Sequence, residues 1–158
     1  MRENAAHEPY IIENLNIDAR WNDFCISISN SKAHFVIQGC TLNNTGYSAY
    51  TGGIILNNVT NGKINRNFFY SHGFAGIYAK ADYITISSNT LNNQSHGIYI
   101  EGSYNEITRN TIYGSGSGSG IIIQFDNSYH DNLIDGNTIE NCWHPTGCLL
   151  HPVRKGPE

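Results

Sequence analysis

Four stretches open on glycine and run straight into an apolar strand: Gly53-Ile54-Ile55-Leu56, Gly76-Ile77-Tyr78-Ala79, Gly97-Ile98-Tyr99-Ile100 and Gly120-Ile121-Ile122-Ile123. They lie 23, 21 and 23 residues apart. A second mark, I-x-x-N-x-(L/I/F), alternates with them at residues 64–69, 86–91, 107–112 and 134–139, and at 37–42 with Cys40 in the asparagine place. A unit of 21 to 27 residues cannot bury an apolar face alone, whereas a stack of such units can. The pattern predicts an all-β fold, a single-stranded parallel β-helix (solenoid) of about five to six coils with two short strands in each. Leucine-rich repeats share the period but carry an L-x-x-L-x-L signature absent here, and no segment shows a helical 3.6-residue apolar pattern.

The same reading accounts for 21 Asn beside 21 Ile, since Ile favours strands and Asn favours turns. Asn tolerates the left-handed backbone of a sharp turn, so Asn67, Asn89, Asn110 and Asn137 are expected at the turns. Stacked there, they form a ladder of amides that bond one another. The coils fall at about 9–23, 24–52, 53–75, 76–96, 97–119 and 120–142, flanked by a polar segment (1–8) and a C-terminal cap or tail (143–158). Insertions sit at "NNTGYSAYTG" before Gly53 and at "GSGSGSG" before Ile121. Strand alternation turns Ile54, Ile77, Ile98 and Ile121, with Leu56, Ala79, Ile100 and Ile123, to the interior. It turns Ile55, Tyr78, Tyr99 and Ile122, with Asn57, Lys80, Glu101 and Gln124, to the outside.

The run Pro9-Tyr10-Ile11-Ile12-Glu13-Asn14-Leu15-Asn16-Ile17-Asp18, the stretch Ile26-Ser27-Ile28-Ser29-Asn30-Ser31 and the later G-I-Y and I-x-x-N-x-I units resemble the NosD-like right-handed parallel β-helix repeats of the pectin-lyase-like superfold. The resemblance covers residues 9 to 142 and implies a right-handed coil. It also implies an extracellular, cell-surface or periplasmic location, and either carbohydrate binding or a part in copper-protein maturation. One fold carries many functions, so the residues themselves must decide.

Tyr78 over Tyr99, beside Asn57, Lys80, Glu101 and Gln124, forms a candidate glycan strip: flat rings take the apolar face of a sugar, and amides and charges take its hydroxyls. Such rows would repeat along the rod like the units of a polymer. The plainer reading is that tyrosine suits an exposed strand and that Lys80 and Glu101 make a cross-strand ion pair. Lyases, hydrolases and epimerases of polysaccharides need a tighter set of acids and bases, for which Lys80, Glu101 and Asp126 are the candidates. Glu106, Asp131 and Asp135 add acids without recurring at equal offsets. An echo of Ser-His-Gly makes His72 and His96, with His34 or His130, candidates for Cu or Zn. Polar turn histidines are the plainer account, and no cofactor is required.

A net charge of -4 with nine scattered Lys and Arg offers no footprint for nucleic acid, and no apolar run is long enough to insert in a membrane. Cys25, Cys40, Cys142 and Cys148 lack CxxC spacing, and Cys142 and Cys148 are left open as a pair or as free thiols. In the tail, Pro145, Pro152 and Pro157 stop a ladder, while Trp143, Leu149 and Leu150 are expected as a lid. Open strand edges suggest edge-to-edge self-association or a place within a larger protein.

Overall fold

The computed structural model describes residues 8–114, 118–124 and 128–143. Within them every regular element is a strand. The first turn carries β1 (Tyr10–Glu13), β2 (Asn16–Asp18) and β3 (Phe24–Ser31), and the second β4 (Phe35–Gln38), β5 (Thr41–Thr45) and β6 (Gly52–Thr60). The third carries β7 (Gly62–Asn65), β8 (Phe68–His72) and β9 (Ala75–Asp82), and the fourth β10 (Thr85–Ser87), β11 (Thr90–Asn92) and β12 (His96–Glu101). The fifth carries β13 (Glu106–Thr108), β14 (Thr111–Tyr113) and β15 (Ile121–Ile123); β16 (Leu133–Asp135) and β17 (Thr138–Glu140) follow. Every third strand pairs in parallel, giving sheets in the orders β1-β4-β7-β10-β13-β16, β2-β5-β8-β11-β14-β17 and β3-β6-β9-β12-β15. The chain is a three-sided parallel β-solenoid of about five turns.

Each turn thus has three strands where the sequence suggested two. The I-x-x-N-x-I mark is itself a strand, a corner and a strand, for Ile64 lies in β7 and Phe69 in β8. The bend takes only two residues. Left-handed backbone falls on the residue before the asparagine, at Arg66 (φ 54°), Ser88 (56°) and Arg109 (54°), and at Gly39 and Gly136 in the flanking turns. The asparagine itself turns inward. This differs from the expectation that Asn takes the left-handed place, and the reason is chemical: its amide is needed inside.

There Asn67 donates from its N–H and Nδ2 to Asn89 Oδ1, at 3.0 Å each, and Asn89 does the same to Asn110 Oδ1. Asn110 repeats it to Asn137 Oδ1 at 2.9 Å. Each Nδ2 also reaches a carbonyl one turn back, Ile64 O for Asn89 at 2.9 Å and Ile86 O for Asn110. Cys40, with no amide to offer, closes the column by giving its N–H to Asn67 Oδ1. Buried polar groups are tolerated when paired in this way.

Around this column the interior is aliphatic. Ile37, Ile64, Ile86 and Ile107 stack in the first sheet, and Leu42, Phe69, Leu91 and Ile112 in the second. The third sheet buries Ile54, Ile77, Ile98 and Ile121 with Leu56, Ala79, Ile100 and Ile123. Full burial of one such Ile or Leu stabilises by about 1.5–3 kcal/mol. A second, shorter amide column, not recognised in the sequence, joins Asn105 to Asn132 and takes the N–H of Ile84 at the corner between the third and first sheets. Cys25, Cys40 and Cys142 are free thiols. Burial raises the Cys25 thiol to about 11. Trp143 is exposed rather than laid over the last turn. The segment 1–7, Asp126, Cys148 and the rest of the tail, with Pro145, Leu149, Leu150, Pro152 and Pro157, lie outside the described residues.

Candidate functional site

The outer face of the third sheet gathers most of the candidates. Ile55, Tyr78, Tyr99 and Ile122 stand in register on successive turns, and Asn57, Lys80 and Glu101 stand in register beside them. Gln124 completes the second row, its N–H bonded to Ile100 O at 2.8 Å. Lys80 Nζ lies 4.0 Å from Glu101 Oε2, with side chains 57% and 16% exposed. An ion pair this loose and this wet contributes at most about 1 kcal/mol.

Tyr78 does not stand in solvent as the alternation implied, for it is only 9% exposed. Tyr50 and Phe74 lean over it, with ring centroids 5.5 Å and 6.1 Å away. Its hydroxyl donates to Glu101 Oε1 at 2.9 Å, and burial, then the Glu101 carboxylate, push its ionisation well above the usual tyrosine range. Tyr78 is therefore the base of the site. Tyr99, half-buried at 5.6 Å from Tyr78, donates its hydroxyl to Gln124 Oε1. Burial also raises Tyr99.

Phe74 joins the rings, at 5.5 Å from Tyr99, 5.7 Å from Tyr50 and 5.3 Å from His96. Tyr50, Phe74 and His96 were not assigned to this face from the sequence, because each precedes or begins a strand and breaks the alternation rule. Tyr50 comes from the "NNTGYSAYTG" insertion, whose two tyrosines were the available signal. Its backbone is left-handed (φ 65°), a conformation that costs an ordinary residue about 1–2 kcal/mol. The insertion is tied down by Thr51 Oγ1, which bonds Gly46 O at 2.7 Å, and it crosses Gly73 so closely that a Cβ there would meet Gly46 O at 2.0 Å. Only glycine at 73 lets the loop bring Tyr50 over the sheet.

The histidines part company. Ser71-His72-Gly73 and Ser95-His96-Gly97 look alike, but His96 pairs with Ala75, three places beyond His72. His72 is 2% exposed inside the solenoid and uses both ring nitrogens, Nδ1 with Thr45 Oγ1 at 3.1 Å and Nε2 with Leu42 O at 3.0 Å. A carbonyl only accepts, so Nε2 carries the hydrogen and Nδ1 accepts from the threonine. Burial lowers its ionisation to about 4. No lone pair is left for a metal. His96 accepts the Ser119 N–H on Nδ1 at 3.2 Å and packs on Phe74. His130 bonds Asp131 at 3.0 Å and stands edge-on to Tyr104; His34 borders a cleft with Tyr83 and Lys63. Among the described residues no three His, Cys, Asp or Glu side chains gather as a metal site.

Two clefts of about 320 Å³ open at the ends of β9 and β12. One, where the strands begin, borders Tyr47, Ser71, Asn93, Gln94 and Ser95. The other, where they end, borders Lys80, Asp82, Glu101 and Tyr129. Asp82, passed over in the sequence, there joins Glu101 in one cleft, and its Oδ1 accepts the Ser103 N–H at 2.7 Å.

A stack of parallel turns with an aromatic and polar patch on one side defines a β-solenoid that displays side chains from a rigid face. The chain belongs to the right-handed β-helix family: the model described as "Right handed beta helix region" matches residues 52–151. No curated protein and no solved structure matches it.

Proposed function

We propose that the chain is an extracytoplasmic β-helix module that binds a polysaccharide or cell-surface glycan on the outer face of the third sheet without transforming it. The observation that carries this reading is the group of rings formed by Tyr50, Phe74, Tyr99 and His96 over Tyr78, bordered by Lys80, Glu101, Asn57 and Gln124. Tyrosine pairs a broad apolar face with a polar tip, and here the tips are already bonded to Glu101 and Gln124. Rings fixed before binding lose little freedom when a ligand arrives.

A glycan array followed by affinity electrophoresis tests the reading. Tyr50→Ala with Tyr99→Ala is expected to abolish retention at unchanged melting temperature. Undiminished retention by the folded variant would reject this face as the site.

A second reading, a lyase, hydrolase or epimerase, is favoured by Asp82 and Glu101 sharing a cleft with Lys80. It predicts new reducing ends or unsaturated uronate with a bound glycan, lost in Glu101→Gln. A NosD-like role in copper delivery has less support, since His72 spends both nitrogens inside the fold. A ligand-free spacer is what complete silence on the array would leave.

A further inference from the structure

We propose that the bound glycan lies along β9 and β12, across the axis of the solenoid, and consists of uncharged or amino-bearing sugars rather than uronates. This rests on the glycan reading above and adds direction and charge to it. The first ground is where the clefts fall. Both flank β9 and β12, one at their start, where it reaches back to Tyr47 of the turn before, and the other at their end, where it also borders Asn58, Val59 and Thr60 of that turn and Tyr129. The eight residues of β9 span about 23 Å at roughly 3.3 Å per step. Neighbouring turns, by contrast, are only about 4.8 Å apart. A ligand running with the strands meets one cleft, the rings of Phe74, His96 and Tyr99, and then the other. A ligand running along the axis meets Ile55 and Ile122 on either side of two tyrosines, one of them buried.

Charge is the second ground. The cleft at the strand ends sets Asp82 and Glu101 against Lys80 alone, and the opposite cleft borders no acidic or basic side chain other than the buried His72. A uronate would meet surplus negative charge there, and an amine would be welcomed. The third ground is Gln94, which borders the first cleft at 3% exposure while its Oε1 and Nε2 have no hydrogen-bond partner. A buried amide in that condition is costly, and a turn of the side chain from its inward place towards the cleft would bring either atom to a sugar hydroxyl, which both donates and accepts.

Calorimetric titration with manno-, xylo-, cello- and chitosan oligosaccharides of two to eight units, beside polygalacturonate fragments of matching length, tests all three grounds. Affinity should climb with length until the strand is covered and then level off. Gln94→Met with Ser95→Ala at one end, and Lys80→Ala with Asp82→Asn at the other, should each weaken long chains roughly tenfold and spare two-unit fragments. Phe24→Ala, on the same sheet but two turns before β9 along the axis, should change nothing. If affinity keeps rising beyond that length and Phe24→Ala costs as much as the end variants, the ligand follows the axis and the direction is wrong, though the glycan face stands. Tighter binding of polygalacturonate than of any neutral or amino series overturns the charge preference. If no sugar binds, or Tyr50→Ala with Tyr99→Ala binds as before, the glycan reading falls and this inference with it.

Discussion

Two corners of the solenoid solve the same problem differently. Between the first and second sheets, the inward place after the left-handed residue holds Asn67, Asn89, Asn110 and Asn137, and every amide is answered by the next. Between the second and third sheets, the inward place three residues after Leu42, Phe69 and Leu91 holds Thr45, His72 and Gln94. Thr45 and His72 satisfy each other, whereas Gln94 satisfies neither end of its amide. The uniform corner holds the turns together. The varied corner lies beside the insertion that carries Tyr47 and Tyr50, so irregularity collects where side chains are displayed and regularity where they are hidden.

The sharpest way to break this contrast is Asn89→Ala. The change removes the acceptor of the Asn67 N–H and Nδ2 and the donor to Ile64 O, all buried. Orphaned groups of this kind cost about 1–3 kcal/mol each, so urea unfolding should show a loss on the order of 3–6 kcal/mol. A loss below about 1 kcal/mol would mean that the column contributes little.

His72 gives the next effect, and its sign follows from linkage. In the unfolded chain it takes a proton near 6.5, while in the fold it does so only near 4. Between those values the unfolded state binds more protons, so stability is full above about pH 6.5 and falls as pH drops towards 4. The loss approaches about 3 kcal/mol. His96, lowered by burial as well, acts in the same direction. Melting curves from pH 7.5 to 4 should show this slope, and His72→Gln should flatten it; an equal slope in the variant would locate the proton uptake elsewhere.

The smallest effect has the opposite sign. Gln94→Met keeps the volume and removes two unpaired polar atoms, so stability should rise by about 1–2 kcal/mol in the same urea assay. A fall would show that Gln94 is satisfied in solution after all and that the corners are more alike than their hydrogen bonds indicate.

What could be read from the sequence follows the same division. The glycine-led strands announced Ile54, Ile77, Ile98 and Ile121 as interior because strict alternation and a constant period act together there. The third strand of each turn stayed hidden, since a two-residue corner with an inward Asn continues the apolar rhythm instead of interrupting it. The Asn105–Asn132 column has only two members, stacked on Ile84, and so left no repeat to find. Rows along the axis were legible for Asn57, Lys80 and Glu101, but the cover over Tyr78 was not. It comes from Tyr50, in a loop whose path depends on Gly73 one turn away, and no local pattern encodes that contact.

In the amide column every Oδ1 from Asn67 to Asn137 faces the turn before it, and every backbone N–H from Cys40 to Asn110 faces the turn after it. Dipoles aligned like this add as cells do in series, and each polarises the next. The column therefore has an electrical head and tail as well as a chain direction, with its Oδ1 atoms towards the early turns and its backbone N–H groups towards the late ones. A turn spliced into the middle without an asparagine at that place would leave two short batteries where there had been one.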